Sequence, residues 1–326
     1  MRIAKLLRLR VHVAAFLTLI CPGICQETHA GDKADASVSE GEFTAEINGL
    51  KIWYKISGRG PVCILPTPGW GPSSELYYLK MKPLESMFRM IYLDTRGSGR
   101  SERPDPHAYA MHDFVADIEG LRRHLGIDTI WLMGHSDGGR MILNYAFEHG
   151  DRVKGLILVD APVQDTSHGR EREKRMLARK NEPWFDSAYS SFHKMPTTQR
   201  EFETYIRAIT PFFFTSIENL EKNRDVFDTV TLSFDAQRGE GLSDQSSVDL
   251  ETFLPVMKIP TLVIVGRDDF ICPASASEYL HREIACSKLL IVENAGHFPW
   301  LEKPEKFFGG IQAILPKIGY QKVGKW

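Results

Sequence analysis

Between an apolar run and an amphipathic one, the chain carries Gly134-His135-Ser136-Asp137-Gly138. No other feature narrows the fold as far. The run before it, Thr129 to Met133, has the length and apolar content of a buried strand, and the run after it, Arg140 to Glu148, has helical spacing. A serine where a strand turns directly into a helix must adopt a strained backbone, and its flanking residues must be small to avoid clashes. Such a turn lifts the hydroxyl above the sheet and sets a helix N-terminus behind it, which favours a developing negative charge. The five letters alone arise by chance in unrelated chains. With strand and helix on either side they make Ser136 a candidate nucleophile.

The rest of the chain repeats that alternation. Phe43 to Asn48 and Lys51 to Ser57 read as a hairpin about Asn48-Gly49. Val62 to Pro66, Met90 to Leu93, Gly155 to Val159, Thr261 to Val265 and Lys288 to Val292 are short apolar runs suited to strands covered on both faces. Met111 to Leu125, Ala274 to Ile284 and Pro304 to Ile314 read as helices between them. The pattern predicts an α/β fold, a doubly wound and mostly parallel sheet. Residues 43–163 and 249–316 form this core. The stretch 164–248 breaks the rhythm with helical patterns and aromatic clusters, and is expected to be a helical lid inserted between two core strands.

Composition excludes several function classes. The 326 residues are 43% hydrophobic and 25% charged with a net charge of -2, values of a globular chain without the basic footprint of a nucleic-acid binder. A small molecule or short peptide is the expected partner. At the N-terminus Lys5, Arg8 and Arg10 precede the apolar run Val11 to Ile20 and a polar stretch. That order predicts a signal peptide over residues 1–30, cleaved near 25 or 30, and a secreted or periplasmic protein with no membrane span once it is removed. Of the five cysteines, Cys272 and Cys286 either pair in that oxidising compartment or, with Cys63, remain buried thiols. No closely spaced Cys/His set suggests zinc.

A serine hydroxyl needs a base to take its proton. His297 follows the strand Lys288 to Val292 through Glu293-Asn294-Ala295-Gly296, at the carboxyl end where open α/β sheets place their ligand sites. His135 lies within the turn itself and is expected to pack beneath it. For a nucleophile on a strand-to-helix turn, the orienting acid lies between Ser and His in the chain. Gly266-Arg267-Asp268-Asp269 follows the strand Thr261 to Val265, with room for one helix and one strand before His297. Asp269 is assigned this place. Asp160, ending the preceding core strand, is the alternative, and Asp268 is expected to face away.

These motifs together resemble the α/β-hydrolase superfamily, and within it the proline-iminopeptidase-like branch of serine hydrolases. The residues that carry the resemblance are Asp94 to Ser101, Gly134 to Gly139, Gly266 to Asp269 and Gly296-His297-Phe298. The resemblance implies that the backbone N–H groups of Trp70 and Asp137 form an oxyanion hole. It also implies that Asp94 to Ser101 is a tight strand exit, with Arg96 anchoring it, and not a phosphate loop. Thr67-Pro68-Gly69-Trp70-Gly71 stands where proline iminopeptidases carry His-Gly-Gly-Pro-Gly, and the elbow Gly-His-Ser-Asp-Gly replaces their Gly-Gly-Ser-Trp-Gly. The resemblance therefore specifies fold and hydrolysis more tightly than substrate.

The expected reaction is acyl transfer through an acyl-enzyme, with Ser136 attacking an ester or amide carbonyl, His297 as base and Asp269 stabilising the imidazolium. It calls for no metal or organic cofactor. Haloalkane dehalogenases and epoxide hydrolases of this fold need a carboxylate where this chain has Ser136. Trp184, Phe185 and Phe213 are expected to line an apolar substrate pocket, though packing of the lid onto the core is the competing use for such aromatics. An aminopeptidase is the alternative enzyme, in which Glu201 or Glu203 would bind a substrate amine, a solvated helix face being the competing and favoured use for these acids. A non-catalytic ligand-binding relative is the alternative of another class, and such proteins generally lack one of the three residues retained here.

Overall fold

The computed structural model describes residues 38–163, 167–245 and 248–321, so the expected signal peptide lies outside the described residues. Eight strands form one sheet: β1 (Gly41–Ile47), β2 (Leu50–Gly58), β3 (Val62–Pro66), β4 (Arg89–Leu93), β5 (Ile130–His135), β6 (Val153–Val159), β7 (Thr261–Gly266) and β8 (Ser287–Val292). Their order is β1-β2-β4-β3-β5-β6-β7-β8. The first hairpin and the β2–β4 pair are antiparallel, and every pair from β4 through β8 is parallel.

Successive strand side chains point to opposite faces, and here both faces are dry. Ile64, Leu132, Leu156 and Val263 face one way, into a cluster with Phe114, Ile118, Ile142 and Leu280. These last four come from the helices Met111–His124, Asp137–Glu148 and Ala274–Glu283. Cys63, Leu65, Trp131, Ile157 and Ile264 face the other way, onto Tyr77, Trp300 and Phe307, the last from the helix Pro304–Ile314. Burial on both sides explains why these strands read as continuous apolar runs. β6 is longer than its expected run: it begins at Val153 because that residue still pairs with Ile130 of β5.

Between β6 and β7 the chain leaves the sheet. The longer helices there are Ser167–Leu177, Phe185–Phe192, Gln199–Ile209 and Phe234–Leu242. Their starts follow capping chemistry: the Thr198 hydroxyl accepts from the Glu201 N–H at 3.2 Å, and the Ser233 hydroxyl accepts from the Ala236 N–H at 3.3 Å. Glu201 returns the bond to the Thr197 N–H at 2.8 Å and is exposed, so it serves the helix start rather than an amine site.

The insertion is tied to the loop after β3. Thr231 C=O accepts from the Ser73 N–H at 3.0 Å, and Gly71 C=O accepts from the Ser233 N–H at 2.9 Å. Gly71 has φ +113, and a Cβ there would collide with the Ser233 carbonyl, so only glycine lets the two segments meet. The strand exit at Asp94 braces the same region. Its buried carboxylate accepts from the Ser74 N–H at 2.8 Å and the Arg100 N–H at 2.9 Å. Arg96 makes a two-pronged pair with Asp117, both bonds at 2.7 Å, in line with an anchoring role.

Candidate active site

β5 ends at His135 and the next helix begins at Asp137, so Ser136 alone makes the turn. Its φ of 52 and ψ of -130 lie where a residue with a Cβ is strained, by about 1–3 kcal/mol. Hydrogen bonds hold it there: the Ser136 N–H donates to Val159 C=O at 2.9 Å, and Ser136 C=O accepts from the Gly139 N–H at 2.8 Å. A Cβ on Gly134 would lie 2.6 Å from the Gly138 carbonyl carbon, so a bare backbone is needed for the helix to start this close. Ser136 is left half-buried above the sheet.

His297 and Asp269 reach the same rim from the exits of β8 and β7. Nδ1 of His297 and Oδ2 of Asp269 are 2.7 Å apart, both side chains buried. A carboxylate can only accept, so Nδ1 carries the proton and Nε2 is free to act as a base. Asp269 Oδ1 accepts from the Ile271 N–H at 2.8 Å and the Cys272 N–H at 3.2 Å, which fixes the carboxylate's orientation. The Phe213 carbonyl accepts from the His297 N–H at 2.9 Å. Below lies His135, whose ring centre is 4.5 Å from that of His297. Its Nε2 donates to the His297 carbonyl at 2.9 Å, and its Nδ1, 3.2 Å from the Tyr77 hydroxyl, is left to accept. Burial, reinforced by His297, holds His135 well below the usual imidazole range, so it is a neutral packing element.

The other two acids are separated by geometry. Asp268 is exposed. Asp160 is wholly buried at the exit of β6, its Oδ1 accepting from the Gly266 N–H at 2.9 Å, and burial, then the charge of Asp269, pushes its carboxyl well above the usual range. The bond to the imidazole belongs to Asp269.

The thiols Cys63, Cys272 and Cys286 are all free. The pairing of Cys272 with Cys286 fails on strand direction: Cys272 follows the end of β7, whereas Cys286 precedes the start of its parallel neighbour β8. Cys272 instead lies beside the acid, its N–H donating to Asp269 at 3.2 Å and burial pushing its thiol up. Ligand atoms of Asp269, Cys272 and His297 lie within 4.8 Å of one another. The 2.7 Å between Asp269 and His297 Nδ1 is nevertheless shorter than the roughly 3.3 Å between neighbouring ligands of a tetrahedral zinc ion. That gap suits a proton.

Asp137, first residue of its helix, has an N–H with no intrahelical acceptor. Trp70 lies half-buried in the loop after β3, its ring 6.5 Å from Phe202 of the insertion. Of the expected pocket aromatics, Phe213 stacks near His297, ring centres 5.4 Å apart. Trp184 and Phe185 pack on Phe212 at 5.0 and 5.9 Å, in a cluster with Phe270 that seats the insertion on the β7 exit.

Two acids were not singled out from sequence. Glu302 Oε1 accepts from the Gly296 N–H at 2.6 Å, while Oε2 accepts from the Thr215 N–H at 2.9 Å and from Asn219 Nδ2 at 3.0 Å. Glu240 and Asp137 share one cation, Arg140 donating to Asp137 at 2.7 Å and to Glu240 at 3.4 Å. Neither acid sits in a motif, and only tertiary contact reveals them.

Comparison with known proteins agrees with this architecture. A proline iminopeptidase of Pestalotiopsis fici is 28% identical over 285 residues, 83% of this chain and 98% of its own length. A pimeloyl-acyl-carrier-protein methyl ester esterase of Vibrio vulnificus is 26% identical over 258 residues, 78% of this chain and 94% of its own. An α/β fold family hydrolase from Bacillus anthracis superposes with a TM-score of 0.69 at 19% identity, covering 84% of this chain and 99% of the other. The family model for the alpha/beta hydrolase fold matches residues 61–304, and the chain belongs to that family as a hydrolase.

Proposed function

We propose that this chain is a serine hydrolase that cleaves an ester or amide bond of a small molecule or short peptide through an acyl-enzyme on Ser136. The observation that carries the reading is the 2.7 Å bond between Asp269 and His297 Nδ1, beside a serine held in a strained turn. His297 Nε2 takes the Ser136 proton as the hydroxyl attacks the carbonyl, and Asp269 stabilises the imidazolium that forms. The tetrahedral oxyanion receives the N–H groups of Trp70 and Asp137, each worth roughly 3 kcal/mol in comparable sites. His297 then passes its proton to the leaving alcohol or amine. Water, deprotonated by the same imidazole, releases the acid. Phe213, against His297, offers the acyl group an apolar wall.

A specific observation favours an aminopeptidase as the second reading. Asp137 and Glu240 face each other with one guanidinium between two carboxyls, and Asp137 Oδ2 is buried without a hydrogen-bond donor among the described residues. Burial, then the charge of Asp137, pushes Glu240 up to about 8, against the pull of Arg140. At neutral pH a proton therefore occupies the place that a substrate ammonium would take. Relatives named as proline iminopeptidases and as an ester esterase support both readings equally. Turnover of aryl esters against aminoacyl arylamides separates them: preference for a free amine that is lost on acetylating it favours the peptidase. Secretion by an N-terminal signal remains part of the proposal, supported by the run Val11 to Ile20.

A further inference from the structure

We propose that Asp160 is a positioning residue for the acid of the site: a neutral carboxylic acid that donates its proton to the Asp269 carboxylate and holds it in register with His297. This rests on the reading of Ser136, His297 and Asp269 given above.

Asp160 leaves β6 in the left-handed region, φ +46, a conformation that side chains with a Cβ rarely adopt and that persists only where surroundings impose it. What imposes it is β7. The Asp160 N–H donates to Ile264 C=O at 2.9 Å, and its Oδ1 accepts from the Gly266 N–H at 2.9 Å. The carboxyl is thereby pinned three residues before Asp269. Its second oxygen, Oδ2, is buried and meets no donor among the described residues, while the Asp269 carboxyl lies within hydrogen-bonding reach.

Two buried carboxyls in contact cannot both be charged unless a cation joins them. The titratable groups around Asp160 are Asp269, Glu302 and Cys272, with His297 beyond Asp269. None of the first three is a cation, and the His297 imidazole bonds Asp269, not Asp160. One proton must therefore sit on the pair, and the donors decide where. Asp269 accepts three N–H groups, from Ile271, Cys272 and His297, whereas Asp160 accepts one. The negative charge belongs on the carboxylate with three donors, and the proton on the other. Placed on Asp160 Oδ2, it gives that oxygen its missing partner and Asp269 a fourth donor. Burial and the charges of Asp269 and Glu302 all act to keep it there. The proton does not transfer. It stops the Asp269 carboxylate from turning away as the imidazolium forms.

The test uses the full chain, with Asp160→Ala, Asp160→Asn and Ser136→Ala, and reads kcat, KM and the infrared spectrum. An asparagine reproduces the neutral acid: its amide donates to Asp269 and its oxygen accepts from Gly266. Asp160→Ala should lower kcat about 10- to 100-fold with KM held within about twofold, and Asp160→Asn should recover at least about tenfold of that loss. At neutral pH the wild-type minus Asp160→Asn infrared difference should contain the C=O stretch of a protonated carboxylic acid. Asp160→Asn as impaired as Asp160→Ala, or a difference spectrum with carboxylate bands only, overturns the inference. So does an Asp160→Ala variant with wild-type kcat. If Asp160→Ala does not fold, Asp160→Asn and the infrared measurement decide alone. Full turnover in Ser136→Ala sinks the nucleophile instead, and leaves the infrared result to judge Asp160 by itself.

Discussion

Glu302 accepts the backbone N–H of Gly296 at 2.6 Å, one residue before the imidazole, and with its other oxygen holds Thr215 of the insertion. A single carboxylate thus joins the loop of the base to the segment that covers it. Glu302→Ala strips acceptors from the Gly296 and Thr215 N–H groups and should lower stability by about 2–4 kcal/mol. kcat should fall about tenfold through misplacement of His297. Glu302→Gln keeps one acceptor and should lose roughly half as much. Denaturant midpoints and steady-state kinetics on both variants check this, and an unchanged midpoint for Glu302→Ala would refute the role.

Ser136→Ala should reduce turnover roughly 10⁴- to 10⁶-fold and abolish labelling by a fluorophosphonate probe. Undiminished labelling would remove Ser136 from the chemistry.

Asp269→Asn should lower kcat by about 10⁴-fold, because an amide in its place favours the wrong imidazole tautomer. A loss no larger than that of Asp160→Asn would hand the acid's role to β6.

Glu240 gives the folded protein a pH-dependent stability of definite sign. Its pKa is pushed up to about 8, whereas an unfolded glutamate titrates near 4.3. Across that interval the folded state binds more protons than the unfolded one, so stability falls as pH rises from roughly 4.3 to about 8 and levels off above. Glu240→Gln should remove this slope. At pH 8 the variant should be the more stable by about 1–3 kcal/mol, while at pH 5 the two should nearly coincide. Thermal unfolding at both pH values reads the difference, and parallel pH curves for the two proteins would count against the buried acid pair.

The mature protein from its native host should begin near Gln26 or Gly31, as N-terminal sequencing of the secreted fraction would record. A full-length chain retained in the cytoplasm defeats the export reading.

The sheet was legible because strands buried on both faces spell themselves out as Val/Ile/Leu runs, and Val62–Pro66 needs no tertiary information to be recognised. The helix after the elbow starts at Asp137 rather than Arg140, since glycines 138 and 139 hide a helix start from any reading by side-chain periodicity. Asp269 and Asp160 were harder to separate. They end adjacent parallel strands and are chemically identical, so only the 2.7 Å contact with His297 assigns the imidazole to one of them. Cys272 was visible as a letter but not as a neighbour of His297, because strand direction decides which end of the sheet a loop reaches. Glu240 lies 103 residues from Asp137, and no local pattern foretells a contact at that separation.

The backbone angle at Ser136 has a consequence for durability. A φ of 52 with ψ of -130 is territory that glycine enters freely and serine does not. Ser136→Gly and Ser136→Ala both delete the hydroxyl, yet the glycine variant should melt at the higher temperature, by the equivalent of about 1 kcal/mol. Heat resistance and reactivity are thus opposed at one torsion angle, and the living enzyme keeps the tense conformer because only that one aims an oxygen at its target.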